Sequence, residues 1–322
     1  MSISRLASVC ALALSLLVTP TASAEVLVET THFRFHKVDG TERNTERIAD
    51  QAEARFRVLC RMLEVCDVVA DKPIDVWLAP DAKEFAGAFH GASPMTEWAV
   101  GVAFVKEGRI VLRAHGSALF SLDETFDHEL SHMLLHRGAA PGHVPRWFSE
   151  GVAIWQAGES VLDRMVPAQQ AALTDSLVPL SELSKRFPAQ GPAVALAYAE
   201  AGLFLRWAIG RAGPELVPSL IRELRKGVPF EQAFEALTGV SLQDAEAQWQ
   251  ETLEGQGLMF VVLTDQNVMW TLLTLLFLVT ARIQILRKRR RLAEMAAEEA
   301  QARAAREAER EALLEGFEPT LH

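Results

Sequence analysis

The chain has 322 residues, of which 49% are apolar and 23% are charged, and these fractions are ordinary for a globular protein. Its formal net charge of −10 argues against a nucleic-acid-binding protein, because such proteins carry a basic surface. The length accommodates one large domain or two small ones.

The first 24 residues are predicted to be a secretory signal peptide. Arg5 gives a positive start, residues 9–18 form a short apolar core, and Ala22-Ser23-Ala24 is an A-x-A cleavage site. The apolar run is too short to span a bilayer, which argues against the alternative of an uncleaved anchor. We therefore expect export, with cleavage before Glu25.

Residues 25–120 are predicted to form the α/β part of a folded domain. Residues 26–35 are rich in Val, Thr and Phe, which favours a single strand. Apolar residues at nearly helical spacing predict a long helix over residues 42–64. A short helix is predicted at 80–89, and further strands at 74–78, 100–105 and 109–113, the last two paired around Glu107-Gly108.

Cys60 and Cys66 are the two cysteines of the expected mature chain. An exported compartment permits a disulfide. A straight helix would separate the two residues by about 9 Å, which is beyond disulfide reach. They can pair only if the helix ends near Leu63, so a disulfide and two buried free thiols both stay open.

The central motif is His128-Glu129-Leu130-Ser131-His132, an H-E-x-x-H pattern. Residues four apart lie on one face of a helix, so both imidazoles can point at one metal ion. Glu129 flanks that face, where a base for a metal-activated water must stand. The pattern is typical of zinc proteases. A capping box over residues 121–124 predicts the start of this helix.

A catalytic zinc usually takes three protein ligands, so a third ligand is needed. Pro145 suits a helix start, and Glu150 then lies about one turn into an otherwise apolar helix. A carboxylate in such a segment needs a partner, which is either zinc or an arginine. His136 continues the spacing of the motif. We expect it to be a neighbour of the site, because a fourth histidine ligand would close the position that water needs.

The H-E-x-x-H motif followed by Trp147-x-x-Glu150-Gly151 resembles the gluzincin metallopeptidases, the clan of thermolysin and aminopeptidase N. The closest likeness is to the small bacterial peptidase MA-like domains. The resemblance covers roughly residues 30–255, with weaker matches at 98–102 and 197–200. It implies an α+β, zincin-like domain with a small mixed sheet plus helices.

The resemblance also implies the roles of individual residues. It implies that His128, His132 and Glu150 hold Zn²⁺, that Glu129 is the catalytic base, and that the hairpin before the motif binds extended peptide. Tyr198 is the only tyrosine of the chain, and the resemblance makes it an oxyanion donor. The alternative is a core tyrosine bonded to a backbone carbonyl. We find no G-A-M-E-N-like stretch, which argues against exopeptidase activity.

The chain after Glu150 is predicted to be mostly helical. Glu200 either supports the site or lies on a solvated face, and we expect the solvated face. His143 either lines the cleft or is exposed, and we expect it to be exposed. A loop-rich segment is predicted at 177–192, and helices at 193–211, 214–226, 230–237 and 242–253.

Residues 258–281 are strongly apolar, interrupted at Asp265-Gln266-Asn267, and are followed by Arg282 and the basic run 287–291. Roughly 20 apolar residues span a bilayer, and clusters of Lys and Arg stay in the cytoplasm. We therefore predict a single transmembrane helix and a cytoplasmic tail. A buried amphipathic helix is the alternative.

The sequence as a whole predicts a membrane-anchored, exported zinc metallopeptidase that acts on peptides or proteins. The alternative is a non-catalytic binding or scaffold protein of the envelope that keeps a zinc-stabilised fold. No particular oligomeric state is predicted. The predicted divisions are the signal peptide 1–24, the α/β part 25–120, the helical zinc-site part 121–256, the transmembrane helix 258–281 and the tail 282–322.

Overall fold

The computed structural model of the chain describes residues 25–87, 99–116, 120–160, 162–188, 191–264 and 266–315. The predicted signal peptide therefore lies outside the described residues, as do Trp98 and Asp265. The described chain divides into two compact units. The first comprises residues 25–165 and 177–249, and the second comprises residues 166–176 and 250–315.

One five-stranded sheet lies in the first unit. Its strands are β1 Val26–Glu29, β2 Phe33–His36, β3 Ile74–Ala79, β4 Gly101–Phe104 and β5 Arg109–Arg113. The strand order is β1-β2-β3-β5-β4. Strands β2, β3 and β5 run parallel, whereas β1 pairs with β2 and β4 with β5 in antiparallel fashion. The predicted pairing of the last two strands is therefore confirmed, and β4 lies at an edge of the sheet.

Helices make up most of the remaining described chain. They are α1 Glu42–Met62, α2 Cys66–Val69, α3 Ala82–Gly87, α4 Leu122–Ala139, α5 Arg146–Ala157, α6 Leu162–Leu173, α7 Leu180–Lys185, α8 Pro192–Ala212, α9 Leu216–Arg225, α10 Phe230–Thr238, α11 Leu242–Thr264 and α12 Gln266–Glu315. The predicted helices after residue 190 are confirmed, although α11 continues eleven residues past the expected end at 253.

The prediction of one strand over residues 26–35 was wrong, because the chain reverses between β1 and β2. The backbone N–H of Thr30 donates to the carbonyl of Phe33 at 2.9 Å. Glu53 of α1 accepts from the Thr30 hydroxyl at 2.7 Å and from the His32 N–H at 2.8 Å. A carboxylate from α1 stabilises this turn. The β propensity of residues 26–35 alone could not predict a turn that depends on this contact.

The core of the first unit lies where α1 and α4 pack on the sheet. Side chains alternate along β3, so Val76 is fully buried while its neighbours are half-buried. The ring of Phe33 lies 6.0 Å from Phe56 of α1 and 5.7 Å from Phe126 of α4. Because Phe126 is two residues before His128, this contact anchors the motif helix on the sheet.

Cys60 and Cys66 form a disulfide, with their Cα atoms 4.9 Å apart. Helix α1 ends at Met62 with Leu63 as its C-cap, which meets the condition derived from the sequence. Glu64 then adopts a positive φ of 53°, and the chain reverses there.

Two described helices are long and apolar enough to cross a membrane by length and composition. They are Ala193–Ala212 within α8 and Gln266–Arg310 within α12. In the first, 44% of the apolar window is buried, as in the core helix of a globular domain. In the second, none of the window is buried. Helix α12 is therefore the candidate membrane span of the described chain.

Candidate metal centre

Helix α4 begins at the predicted capping box. The Glu124 N–H donates to Ser121 Oγ at 3.2 Å, and the Ser121 N–H donates to Glu124 Oε2 at 2.9 Å. These bonds satisfy backbone donors that a helix start leaves unpaired. The helix then carries His128 and His132 on one face, with ring centroids 4.9 Å apart.

Helix α5 begins after Pro145, as predicted, and brings Glu150 to α4. The Glu150 side chain is only 7% exposed. Gly151 lets α5 lie directly against α8, because a Cβ at this position would be 2.6 Å from the carbonyl oxygen of Ala201. The Trp147-x-x-Glu150-Gly151 segment therefore combines a candidate metal ligand with a glycine that helix packing requires.

The three predicted ligands meet between α4 and α5. Glu150 Oε2 lies 3.4 Å from His128 Nε2 and 3.3 Å from His132 Nε2. One ligand atom from each of the three residues lies within 4.8 Å of the other two. The structure thus brings together the residues that the sequence singled out.

This donor set fits a divalent metal ion. The two contacts are longer than an ordinary N–H···O hydrogen bond of about 2.9–3.0 Å. Glu150 Oε2 is buried and has no hydrogen bond from any described residue. A buried carboxylate oxygen that faces two imidazole nitrogens is satisfied by a cation between them. Two imidazoles and one carboxylate also form a donor set that zinc uses in catalytic sites.

A carboxylate orients His128. Its Nδ1 lies 2.6 Å from Glu159 Oε1, and the other oxygen of Glu159 is paired with Arg164. A proton on Nδ1 leaves the lone pair of Nε2 free to face Glu150. Sequence reasoning missed Glu159, because it lies beyond the end of α5 at Gly158, where helical spacing gives no signal.

A hydroxyl orients His132. Its Nδ1 lies 2.8 Å from Ser149 Oγ, which also lies 3.1 Å from His136 Nε2. If the Nδ1 proton of His132 goes to Ser149, the serine hydroxyl can donate in turn to His136. His136 therefore lies beside the centre and contacts it through Ser149, in agreement with the expectation that it is a neighbour.

Glu129 lies between the centre and the sheet edge. The backbone N–H of Ala103 on β4 is near enough to this carboxylate to lower its pKa. Gly101 makes the close approach possible, because a Cβ there would lie 2.8 Å from both Cγ and Oε1 of Glu129. The edge strand therefore contacts the residue that the motif assigns as a base.

The ionisable groups of the centre shift one another's pKa values. Burial would raise the pKa of Glu150, but the charge of His132 and the contacts with both imidazoles hold that pKa well below its usual range. Burial would lower the pKa of His128, but Glu150 and Glu159 raise it to about 10. Burial raises the pKa of Glu129 against the opposing charges of the two histidines. Protons and a metal ion would therefore compete for the same atoms.

Tyr198 lies on α8 beside the centre. Its ring centroid is 6.5 Å from that of His128 and 5.2 Å from that of Phe187. Burial, and then the charge of Glu150, raise the pKa of the phenol well above 10, so it stays protonated. The position allows hydrogen-bond donation near the imidazoles, and the predicted role in catalysis stays a prediction.

Glu200 is not part of the centre, and the expectation that it lies on a solvated face was wrong. It is fully buried and accepts the Val178 N–H at 3.0 Å. Burial raises the pKa of this carboxyl to about 8. The contact comes from a segment 22 residues earlier in the chain, so the spacing along α8 does not reveal it. His143 is exposed, as expected.

Comparison with protein-family models gives a match to the Peptidase MA superfamily over residues 54–255. No curated protein sequence matches the chain. The matched region includes α4 with its two histidines, α5 with Glu150 and α8 with Tyr198. Because the match covers more than half of the chain, the protein belongs to the Peptidase MA superfamily.

Proposed function

We propose that the protein is a zinc-dependent metallopeptidase of the gluzincin type, with a zincin-like domain that hydrolyses peptide bonds. The observation that carries this proposal is that His128 Nε2 and His132 Nε2 converge on Glu150 Oε2. This carboxylate oxygen is buried and has no hydrogen bond from the described residues. Membership of the Peptidase MA superfamily supports a peptidase-like fold.

In this proposal, His128, His132 and Glu150 hold one Zn²⁺. Zinc in such a site acidifies water and polarises the carbonyl of a peptide bond. The contacts from Glu159 and Ser149 to the two Nδ1 atoms keep both Nε2 atoms directed at Glu150. These supporting contacts fix the tautomer and the ring orientation that metal binding requires.

Glu129 moves the proton. Its carboxylate takes a proton from the attacking water and gives it to the leaving amine. The close approach of Gly101 confines this carboxylate between the ligand helix and β4. A base held in this way does not have to be positioned during the reaction.

Tyr198 is proposed to donate its hydroxyl hydrogen bond to the oxygen that becomes negative when the peptide carbonyl is attacked. Its ring lies on the His128 side of the centre, and its phenol keeps its proton.

A peptide-library digest by the purified full-length protein tests the proposal, with Glu129→Gln as the control. The wild type should cleave peptides. Glu129→Gln should lose activity and keep its zinc, because the change removes the base and no ligand. Retained turnover in this variant would refute the mechanism. Bound zinc without cleavage of any peptide would favour the non-catalytic binding or scaffold protein.

We also propose that the metal centre is exported and anchored by α12, with the tail in the cytoplasm. The support is the signal-peptide pattern, the apolar window of Gln266–Arg310 and the basic run 287–291. The disulfide of Cys60 and Cys66 fits an oxidising compartment such as the periplasm or the cell exterior.

Reporter fusions after Gln256 and after His322 test this topology. The two reporters should be active on opposite sides of the membrane. The same side for both would show that the segment between them does not span.

A further inference from the structure

An exposed arginine side chain lies beside the candidate metal centre. Arg146 is the first residue of α5 and lies one turn before Glu150 on the same face of the helix. Its side chain is 60% exposed, whereas those of His128 and Glu150 are 14% and 7% exposed. Arg146 is therefore a part of the site that an arriving substrate can touch before it reaches the ligands.

Glu150 does not use the full hydrogen-bonding capacity of Arg146. The contact joins Arg146 Nε to Glu150 Oε1 at 3.5 Å. Arginine–carboxylate pairs are usually about 2.7–2.9 Å long and often use two parallel bonds. The two terminal nitrogens of Arg146 have no hydrogen bond or ion pair with any residue that the structure describes. This guanidinium can therefore offer its paired donors to a ligand.

The guanidinium is held in place by aromatic packing. Its Cζ lies 5.2 Å from the centroid of the Phe187 ring. Phe187 meets Tyr198 edge to face at 5.2 Å, and Tyr198 lies 6.5 Å from His128. These contacts form a continuous wall from the exposed arginine to the ligands. A guanidinium that already lies against an aromatic ring loses less freedom when it binds a planar anion, which favours recognition.

Arg146 is the accessible positive charge beside the centre, because the other charged side chains there are carboxylates or are paired. Glu129, Glu150 and Glu159 contribute carboxylates. Arg164 is paired with Glu159, and its side chain is only 14% exposed. Among the described residues that border the ligands, the guanidinium of Arg146 is thus the positive group that solvent reaches most freely.

We propose that Arg146 forms a carboxylate-binding subsite, and that the centre takes peptides with a carboxylate one or two residues from the scissile bond. The proposal rests on the proposed peptidase function. Arg146 Nε lies 3.5 Å from Glu150 Oε1, and an extended peptide advances about 3.3 Å per residue, so the guanidinium lies within one or two peptide residues of the ligands. The carboxylate is either an Asp or Glu side chain or the carboxyl terminus of the peptide.

Matched peptides separate these two sources. One set carries Glu or Gln at each of the two positions on either side of the scissile bond. The other set ends in a free carboxylate or in an amide. The wild type should favour the anionic member of at least one pair by about tenfold or more in kcat/KM, mostly through a lower KM, because hydrogen bonds to charged groups are strong.

Variants of Arg146 test whether this residue is the origin of the preference. In Arg146→Gln the ratio between the anionic and the neutral peptide should fall towards one. Arg146→Lys should keep part of it, because the charge remains and the fork is lost. Arg57→Gln, which removes an exposed arginine from α1, should keep the wild-type ratio. Because both peptides are measured on the same variant, any change in zinc content cancels in the ratio.

A binding measurement keeps this inference separate from the proposed function. A fluorescent peptide that carries the favoured carboxylate is titrated into Glu129→Gln and into the double variant Glu129→Gln with Arg146→Gln. If no peptide is cleaved, the titrated peptide carries Glu at each tested position. Arg146→Gln should weaken binding by about tenfold or more. Cleavage at equal rates for both members of every pair would overturn the subsite and leave the peptidase standing. Absent cleavage, combined with binding that depends on Arg146, would overturn the peptidase and leave the subsite.

Discussion

The two imidazoles that face Glu150 are supported by different chemistry. His128 Nδ1 meets the carboxylate of Glu159, whereas His132 Nδ1 meets the neutral hydroxyl of Ser149. Charge-assisted hydrogen bonds are roughly twice as strong as neutral ones. The two halves of the centre are therefore held with unequal strength, and the His128 half depends on charge.

The largest effect is expected for Tyr198, which lies on the His128 side of the centre. Tyr198→Phe should lower kcat by about 10²–10³ with little change in KM, because it removes a donor used mainly in the transition state. Steady-state kinetics and the melting temperature should be measured on the same preparation. If Tyr198 is a core tyrosine, the change costs on the order of 1 kcal/mol of stability and leaves turnover nearly intact, contrary to the prediction.

The charged support of His128 is broken by Glu159→Gln. Zinc affinity should fall by about 10- to 100-fold, because the amide keeps an acceptor and loses the charge that makes the imidazole a better donor to the metal. Competition with a chromophoric chelator measures this affinity. Glu231→Gln on the exposed face of α10 is the matched control. An affinity equal to that of the control would mean that Glu159 does not tune the centre.

The neutral support of His132 is broken by Ser149→Ala. The loss of zinc affinity should be smaller, about tenfold or less, because the bond is uncharged. Ser131→Ala is a close control, since the Ser131 hydroxyl is buried and has no hydrogen bond within the described chain. A loss as large as that in Glu159→Gln would contradict the unequal strengths.

His136→Gln extends the same test. If His136 acts on the centre only through Ser149, its effect on zinc affinity should disappear in the Ser149→Ala background. Fully additive effects in the double variant would show that His136 acts by another route.

A buried carboxyl outside the centre gives the smallest effect. Contacts with His128 and Arg164 outweigh burial and lower the pKa of Glu159, whereas burial raises that of Glu200 from 4.5 to about 8. Between these two pH values the folded state keeps a proton on Glu200 that the unfolded chain releases. The contribution of Glu200 to the free energy of unfolding therefore falls as pH rises through this window.

Glu200→Gln removes this pH-dependent contribution to the free energy of unfolding. The melting temperature of the variant relative to wild type should be a few degrees higher at pH 8 than at pH 5. Thermal unfolding at the two pH values measures the difference. A difference that does not change with pH would mean that Glu200 ionises in the folded state as it does in the unfolded chain.

Local chemistry explains what the sequence could predict. The capping box at Ser121 and the four-residue spacing of His128 and His132 are properties of one helix. Pro145 and Glu150 define the next helix in the same way. Each of these signals lies within one helix or at its start. The candidate ligands could therefore be named without a structure.

Long-range packing explains what the sequence could not predict. Glu159 reaches His128 across 31 residues, and Glu53 reaches His32 across 21. Ser149 lies next to Glu150, but its contact with His132 exists only because α5 packs on α4. The residue pattern of a single segment cannot predict contacts between segments. The burial of Glu200 was not predicted because it also depends on a contact with another segment.

His128, His132 and Glu150 are proposed to hold one zinc ion. Metal analysis of the purified wild type, Glu129→Gln and His132→Ala tests this assignment. We predict about one zinc per chain in the first two proteins and a large loss in His132→Ala, because only that change removes a ligand. Equal zinc in all three would contradict the assignment.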